Sequence, residues 1–221
     1  MTQKLELFFP VRPFQVFQRF GESLACTPND STPGNRLPVV GKVNGVCPPG
    51  FRELYPLLGF RGHTGLDCFA PDGQILRAPL DGIVEEVNTE VERGLGVGIV
   101  TEDDRDFGVW GIHRAKARLW HLKVIMVTRG QSVRVGDVVG LADSTGLSSG
   151  SHLHFELKPC YYDQLGKLYN VFQENGYYGS VDIQPYWNKI YAEDYKTLFQ
   201  DIPAMLVKLS FAINAWLKGR K

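Results

Sequence analysis

His152-Leu153-His154-Phe155-Glu156-Leu157 alternates polar and apolar side chains at every step. A period of two is the mark of a half-buried strand, whose successive side chains point to opposite faces. Leu153, Phe155 and Leu157 then form one face and belong to a core. His152, His154 and Glu156 form the other, with the two imidazoles about 6–7 Å apart along the chain. Two imidazoles at that distance can converge on one small volume. Either both bind a metal, or one binds it and the other serves its water. The stretch is therefore a core strand that presents chemistry on its open face.

Upstream, the text from about residue 60 onwards is strands and turns. Ile83–Val87 and Gly96–Thr101 are runs rich in β-branched residues, followed by Leu119–Thr128, Val133–Val135 and Val138–Ala142. Arg129-Gly130 and Gly136-Asp137 supply turns, and Pro159 is expected to end the last strand. Strands this close, without helices between them, predict a mainly β fold: an antiparallel sheet or sandwich with long loops. The 24 glycines and 13 prolines agree. Residues 5–20 read as an opening segment or edge strand. Residues 26–50, dense in Pro, Gly, Asn and Asp, read as a long surface loop. In the tail, Ile202, Met205, Leu206, Leu209, Ile213, Trp216 and Leu217 recur at steps of three and four, which predicts an amphipathic helix. That helix is expected to pack on its own domain, with docking of a protein partner or self-association through 202–218 as the alternative. The expected division is a domain over 1–185, including the long loop 26–58, and a helical extension over 186–221.

Of the 221 residues, 43% are apolar and 22% charged, which suits a globular core. Lys+Arg and Asp+Glu number 24 each, a formal net charge of zero, so an electrostatically driven nucleic-acid binder is not expected. No stretch is long and apolar enough to cross a membrane, and the first residues do not read as a secretory signal. Cys26, Cys47, Cys68 and Cys160 contain no Cys-x-x-Cys pair, which disfavours a cysteine metal site. Cys26 and Cys47 flank the 26–50 segment and can close it as a disulfide in an oxidising compartment. The low cysteine density favours ordinary reduced thiols.

A second group with metal-binding potential is His63-Thr64-Gly65-Leu66-Asp67. On a straight strand its ends would lie about 13 Å apart, too far to share an ion. Gly62 and Gly65 make a helix a poor choice and instead permit a bend that brings both side chains together. Two histidines, one carboxylate and an open fourth position make a catalytic rather than a closed structural zinc site. The His-Glu-x-x-His helix is absent, which excludes the metalloprotease classes built on it.

Taken with Leu119-Trp120-His121-Leu122 and Ser144-Thr145-Gly146-Leu147-Ser148-Ser149-Gly150-Ser151 ahead of His152, these motifs make the chain resemble the lysostaphin-type peptidoglycan endopeptidases. Ala78–Val84 and Gly130–Gly140 are similar to that family's strand-opening turn and hairpin, and the resemblance covers roughly residues 8–160. It implies one Zn2+ per chain held by His63, Asp67 and His154, with His121 and His152 as catalytic histidines that are not ligands. Spacing alone does not order His152 and His154; the resemblance does. It further implies a zinc endopeptidase acting on cross-links or stem peptides of bacterial peptidoglycan, in the cell wall or periplasm. Without a classical signal, a phage virion, release during phage lysis as an endolysin, or partner-dependent export are the expected routes. The alternatives are a virion structural component and a wall-binding or regulatory module of the same fold. Glu156 is expected to support a ligand from behind, Cys68 to be a spectator, and His113 to be a loop or groove histidine.

Overall fold

The computed structural model of the protein describes residues 2–32, 39–92 and 94–188. The helix expected over 202–218 lies outside them. The main sheet runs, in spatial order, Ser132–Val133, Gly82–Asn88, Leu95–Val100, Ile112–Ile125, His152–Tyr162, Leu66–Phe69 and Val16–Gln18, each pair antiparallel. The edge strand expected within 5–20 is Val16–Gln18. A parallel pairing of Gln3–Lys4 with Arg105–Asp106 is added at the periphery. One face of the central strands carries Val97, Ile99, Ala117, Leu119, Leu153 and Phe155, all essentially inaccessible to solvent, and this face is the core. Residues 1–187 form a single compact unit.

Two strands are longer than the sequence predicts. Ile112–Ile125 starts seven residues before Leu119, where the sequence places the start of this strand. Arg114, Lys116 and Arg118 alternate with Ala115 and Ala117 there. The pattern has period two, but alanine is a weak strand former and masks it. His152–Tyr162 runs through Pro159 instead of ending at it. The Pro159 carbonyl accepts from Val171 N–H on one side of the strand. A strand residue points its N–H and C=O the same way, so the missing proline N–H faces that side too. There the pairing with Leu66–Phe69 has ended at Phe155 and the pairing with Leu168–Asn170 begins only at Cys160. The proline sits in a gap between ladder partners.

The described parts of the 26–50 segment, residues 26–32 and 39–50, are also more ordered than a loop. Ala25–Pro28 pairs with Val40–Gly41 on one side and Phe51–Glu53 on the other, and a short helix, Leu54–Leu57, follows. Cys26 and Cys47 are joined as a disulfide, 21 residues apart in sequence, so the reduced thiols favoured by composition are not what this pair adopts. Cross-linking a loop of this length restricts the unfolded segment by about 3 kcal/mol. Replacing both cysteines by serine is expected to speed amide exchange over residues 25–53 by on the order of 10^2-fold, a ~3 kcal/mol loss. Exchange at Leu119 and Leu153 should not change. Equal protection of 25–53 in both proteins would show that the bond does not hold this sheet.

Candidate active site

The face opposite the core is polar and is organised in cross-strand rows. One row runs Asn88, Gly96, Trp120, His154, Asp67 across five adjacent strands. Position 96 has no side chain because the Trp120 ring fills the space; a Cβ there would lie 2.4 Å from Trp120 Cε3. His154 and Asp67 are thus direct neighbours on paired strands. This is the non-local contact that no local spacing reveals.

His63 joins them from the bend before Leu66–Phe69. Its backbone N–H donates to Glu22 O (2.8 Å) and its carbonyl accepts from Gly21 N–H (2.9 Å), which pins it against the Arg19–Glu22 turn. Gly62 and Gly65 serve here by close approach. Their φ angles are not in the left-handed region, but a Cβ on Gly65 would stand 2.3 Å from Phe155 O, and one on Gly62 2.4 Å from Gly21 O. The bend brings His63 Nε2 to 3.0 Å from Asp67 Oδ1, at the spacing that a straight strand forbids.

His63 Nε2, Asp67 Oδ1 and His154 Nδ1 form a triangle with sides of 3.0, 2.9 and 2.8 Å. They are the ligand-atom cluster found among the described residues. Zinc bonds of about 2.0–2.1 Å place tetrahedral ligand atoms roughly 3.3–3.4 Å apart, so a slight expansion of this triangle accommodates the ion. His152 Nε2 stands 3.4 Å from Asp67 Oδ1 and 4.6 Å separates its ring centroid from that of His121. All five residues singled out from the sequence therefore meet at one place. His113 does not: it opens the Ile112–Ile125 strand, where its Nε2 meets Trp110 O at 2.9 Å.

The ring nitrogens are sorted by their backbone partners. His63 Nδ1 donates to Arg19 O (3.2 Å), His121 Nδ1 to Thr145 O (2.7 Å) and His152 Nδ1 to Gly150 O (2.7 Å). Each of these rings thereby keeps Nε2 as a lone pair facing the site. His154 is reversed, with Nδ1 at the cluster and Nε2 towards Thr64 Oγ1 (3.4 Å) and Glu156 Oε1 (3.5 Å). His121 reaches the site from a bulge where the strand register shifts, and its φ is +66°.

Charge is distributed accordingly. Burial would raise the Asp67 carboxyl, but the side chains of His152, His154 and His63 gathered around it hold it well below the usual carboxylate range. Burial, aided by His152 and His154, pushes His121 down to about 3, so it is neutral. Burial also opposes charge on His154, yet Asp67 and Glu156 outweigh it and raise the ring to about 9. A proton at that ring and a cation at its Nδ1 are alternatives, since a metal ligand must be deprotonated. Burial lifts the Cys68 thiol, which fits its role as a spectator.

The cluster floors a cleft of about 470 Å³. Phe17, Leu24, Val40, Leu54, Phe60, Trp120 and Leu147 supply its apolar lining, with Ser148 and Tyr178 beside them. Two contributors escaped the sequence reading. Tyr55, from the short helix, accepts at Oη from Gln18 Nε2 (2.7 Å), which leaves its own O–H to donate. Arg118 lies under the site, and extending the period-two pattern back from Trp120 would have found it.

Residues 61–167 match the profile of Peptidase family M23. The chain is 36% identical over 112 residues to DD-carboxypeptidase/endopeptidase Mpg of Neisseria meningitidis serogroup B, covering 50% of this chain and 23% of that protein. It is 38% identical over 107 residues to glycyl-glycine endopeptidase ALE-1 of Staphylococcus capitis, covering 46% and 26%. It thus spans about a quarter of the length of these relatives. Among solved structures, the catalytic domain of lysostaphin from Staphylococcus simulans aligns with a TM-score of 0.43 at 22% identity, covering 56% of this chain and 77% of that one. The matched segment contains His63, Asp67, His121, His152 and His154, and residues 61–167 form a peptidase family M23 domain.

Proposed function

We propose that the protein is a zinc endopeptidase that hydrolyses peptide bonds in bacterial peptidoglycan, its Zn2+ held by His63, Asp67 and His154. The observation that carries this reading is the triangle of two imidazole nitrogens and one carboxylate oxygen on the floor of a cleft of about 470 Å³. When bound, a zinc ion supplies a Lewis acid for the scissile carbonyl and lowers the pKa of water. The chain's own residues supply the rest. With Nδ1 of each bonded to a backbone carbonyl, His152 and His121 turn Nε2 towards the cleft, so together they take the proton from the attacking water and deliver it to the leaving amine. Tyr55 presents an O–H donor for the oxygen that gains charge. The apolar lining offers contacts to a peptide, and hydrolysis of an internal bond agrees with relatives named as endopeptidases.

The disulfide supports action outside a reducing cytosol, in the wall or periplasm. Two-histidine, one-carboxylate sets also suit iron(II), so metal analysis of the purified protein is part of the test. The decisive experiment is digestion of purified walls of different cross-link type, read by mass spectrometry of the products. New peptide termini without glycan cleavage are expected. Intact muropeptides from every wall type would overturn the reading.

A further inference from the structure

The second cross-strand row on the polar face runs Glu86, Gly98, Arg118, Glu156, one step along from the row that holds His154. Arg118 donates from Nε and Nη2 to the two oxygens of Glu86 (2.9 and 2.8 Å) and from Nη1 to Glu156 Oε2 (2.5 Å). Glu86 and Arg118 are two strands apart and meet only because residue 98 has no side chain. A Cβ there would lie 2.9 Å from Glu86 Cβ and 3.0 Å from its Oε2. The guanidinium also lies 4.5 Å over the Trp120 ring, and Trp120 packs into the gap at Gly96. Lys158, fully buried, approaches Glu156 Oε2 at 3.4 Å and donates to Tyr178 O at 2.8 Å.

A row of buried charges is a poor device for stability. Well-packed apolar residues in such places are often as stable or more so. What this row does have is an end point. With Oε2 of Glu156 taken by Arg118 and Lys158, Oε1 is left facing His154 Nε2 at 3.5 Å. An acceptor there keeps the ring proton on Nε2 and the lone pair on Nδ1, the atom that joins His63 and Asp67.

We infer that Arg118 is a positioning residue for the metal centre: spanning Gly98 to Glu86, it fixes Glu156, which in turn holds His154 with Nδ1 free to bind the ion. This rests on the ligand assignment proposed above. It extends beyond the ligands to Gly82–Asn88 and Leu95–Val100, two strands outside the cleft lining, and it gives Gly98 a function.

The test measures Zn2+ affinity by chelator competition in the full chain, for the wild type and for Arg118→Met, Gly98→Ala and His154→Ala. Imidazole nitrogen NMR of metal-free protein, recorded at a pH above the raised His154 pKa so that the ring is neutral, reads its tautomer. Loss of an outer partner of a ligand typically weakens metal binding about 10- to 100-fold. Arg118→Met is expected near the upper end and Gly98→Ala near the lower, both with a reduced Nε2–H population on His154. Arg118→Lys keeps the charge but not the fork, and should restore only part of the affinity. Gly98→Ala adds one methyl group and decides the matter if Arg118→Met does not fold. Wild-type affinity and tautomer in folded Arg118→Met or Gly98→Ala, alongside lost binding in His154→Ala, would overturn the positioning role alone. Undiminished binding in His154→Ala would overturn the ligand assignment, and the positioning role with it.

Discussion

Asp67→Ala is expected to empty the metal site and to lower wall hydrolysis by at least about 10^3-fold, because Lewis-acid stabilisation contributes several kcal/mol to such transition states. No other ligand change should cost more. A single oxygen, Asp67 Oδ1, lies within 3.0 Å of His63 Nε2, 2.9 Å of His154 Nδ1 and 3.4 Å of His152 Nε2, so it orients three rings at once. Its removal also leaves those imidazoles without the charge that organises them. Elemental analysis should fall from one metal per chain towards zero. Addition of Zn2+ should raise the unfolding temperature of the wild type but not of the variant, as linkage requires. Wild-type metal content and activity in Asp67→Ala would remove the basis of the proposed function.

The second large effect separates two histidines that differ by two positions. His152→Ala is expected to keep its metal and lose about 10^2- to 10^4-fold in kcat, the usual range for a proton-transferring group. His154→Ala is expected to lose both. The difference arises from geometry: His154 Nδ1 closes the triangle at 2.8 and 2.9 Å, while His152 Nε2 stands off the same carboxylate oxygen at 3.4 Å, with its ring 4.6 Å from His121. Metal content and steady-state kinetics measured on both variants decide the assignment. Reversed phenotypes, with the metal lost from His152→Ala and kept in His154→Ala, would exchange the two roles.

The residues of the site were legible in the sequence, while their supports were not, and the reason is physical. Alternation along His152–Leu157 predicts which side chains share a face, because that period is local. It cannot say which strand lies alongside. The pairing of His154 with Asp67, and of Arg118 with Glu156 and across Gly98 with Glu86, is set by register between segments far apart in the chain. Alanine at 115 and 117 concealed the first half of a long strand, and with it Arg118. Proline and glycine between residues 26 and 50 concealed a small sheet, since its order comes from a cross-link and from pairing rather than from propensity. Gly62 and Gly65 are read from the sequence as permitting the bend through torsional freedom. The structure shows that what matters there is the lack of a Cβ beside another backbone.

The backbone of His121, at φ +66°, limits what that position can become. Asparagine, aspartate and glycine tolerate this conformation, whereas alanine and β-branched residues pay a steric penalty in it. An alanine scan at residue 121 would therefore mix two effects, a missing imidazole and a distorted chain. Asparagine is the informative replacement, because it retains the bulge geometry and deletes only the ring. The same restriction narrows the routes by which the position can drift under selection: most single-base changes of a histidine codon lead to residues that this torsion disfavours, so loss of activity there is easier than its gradual modification.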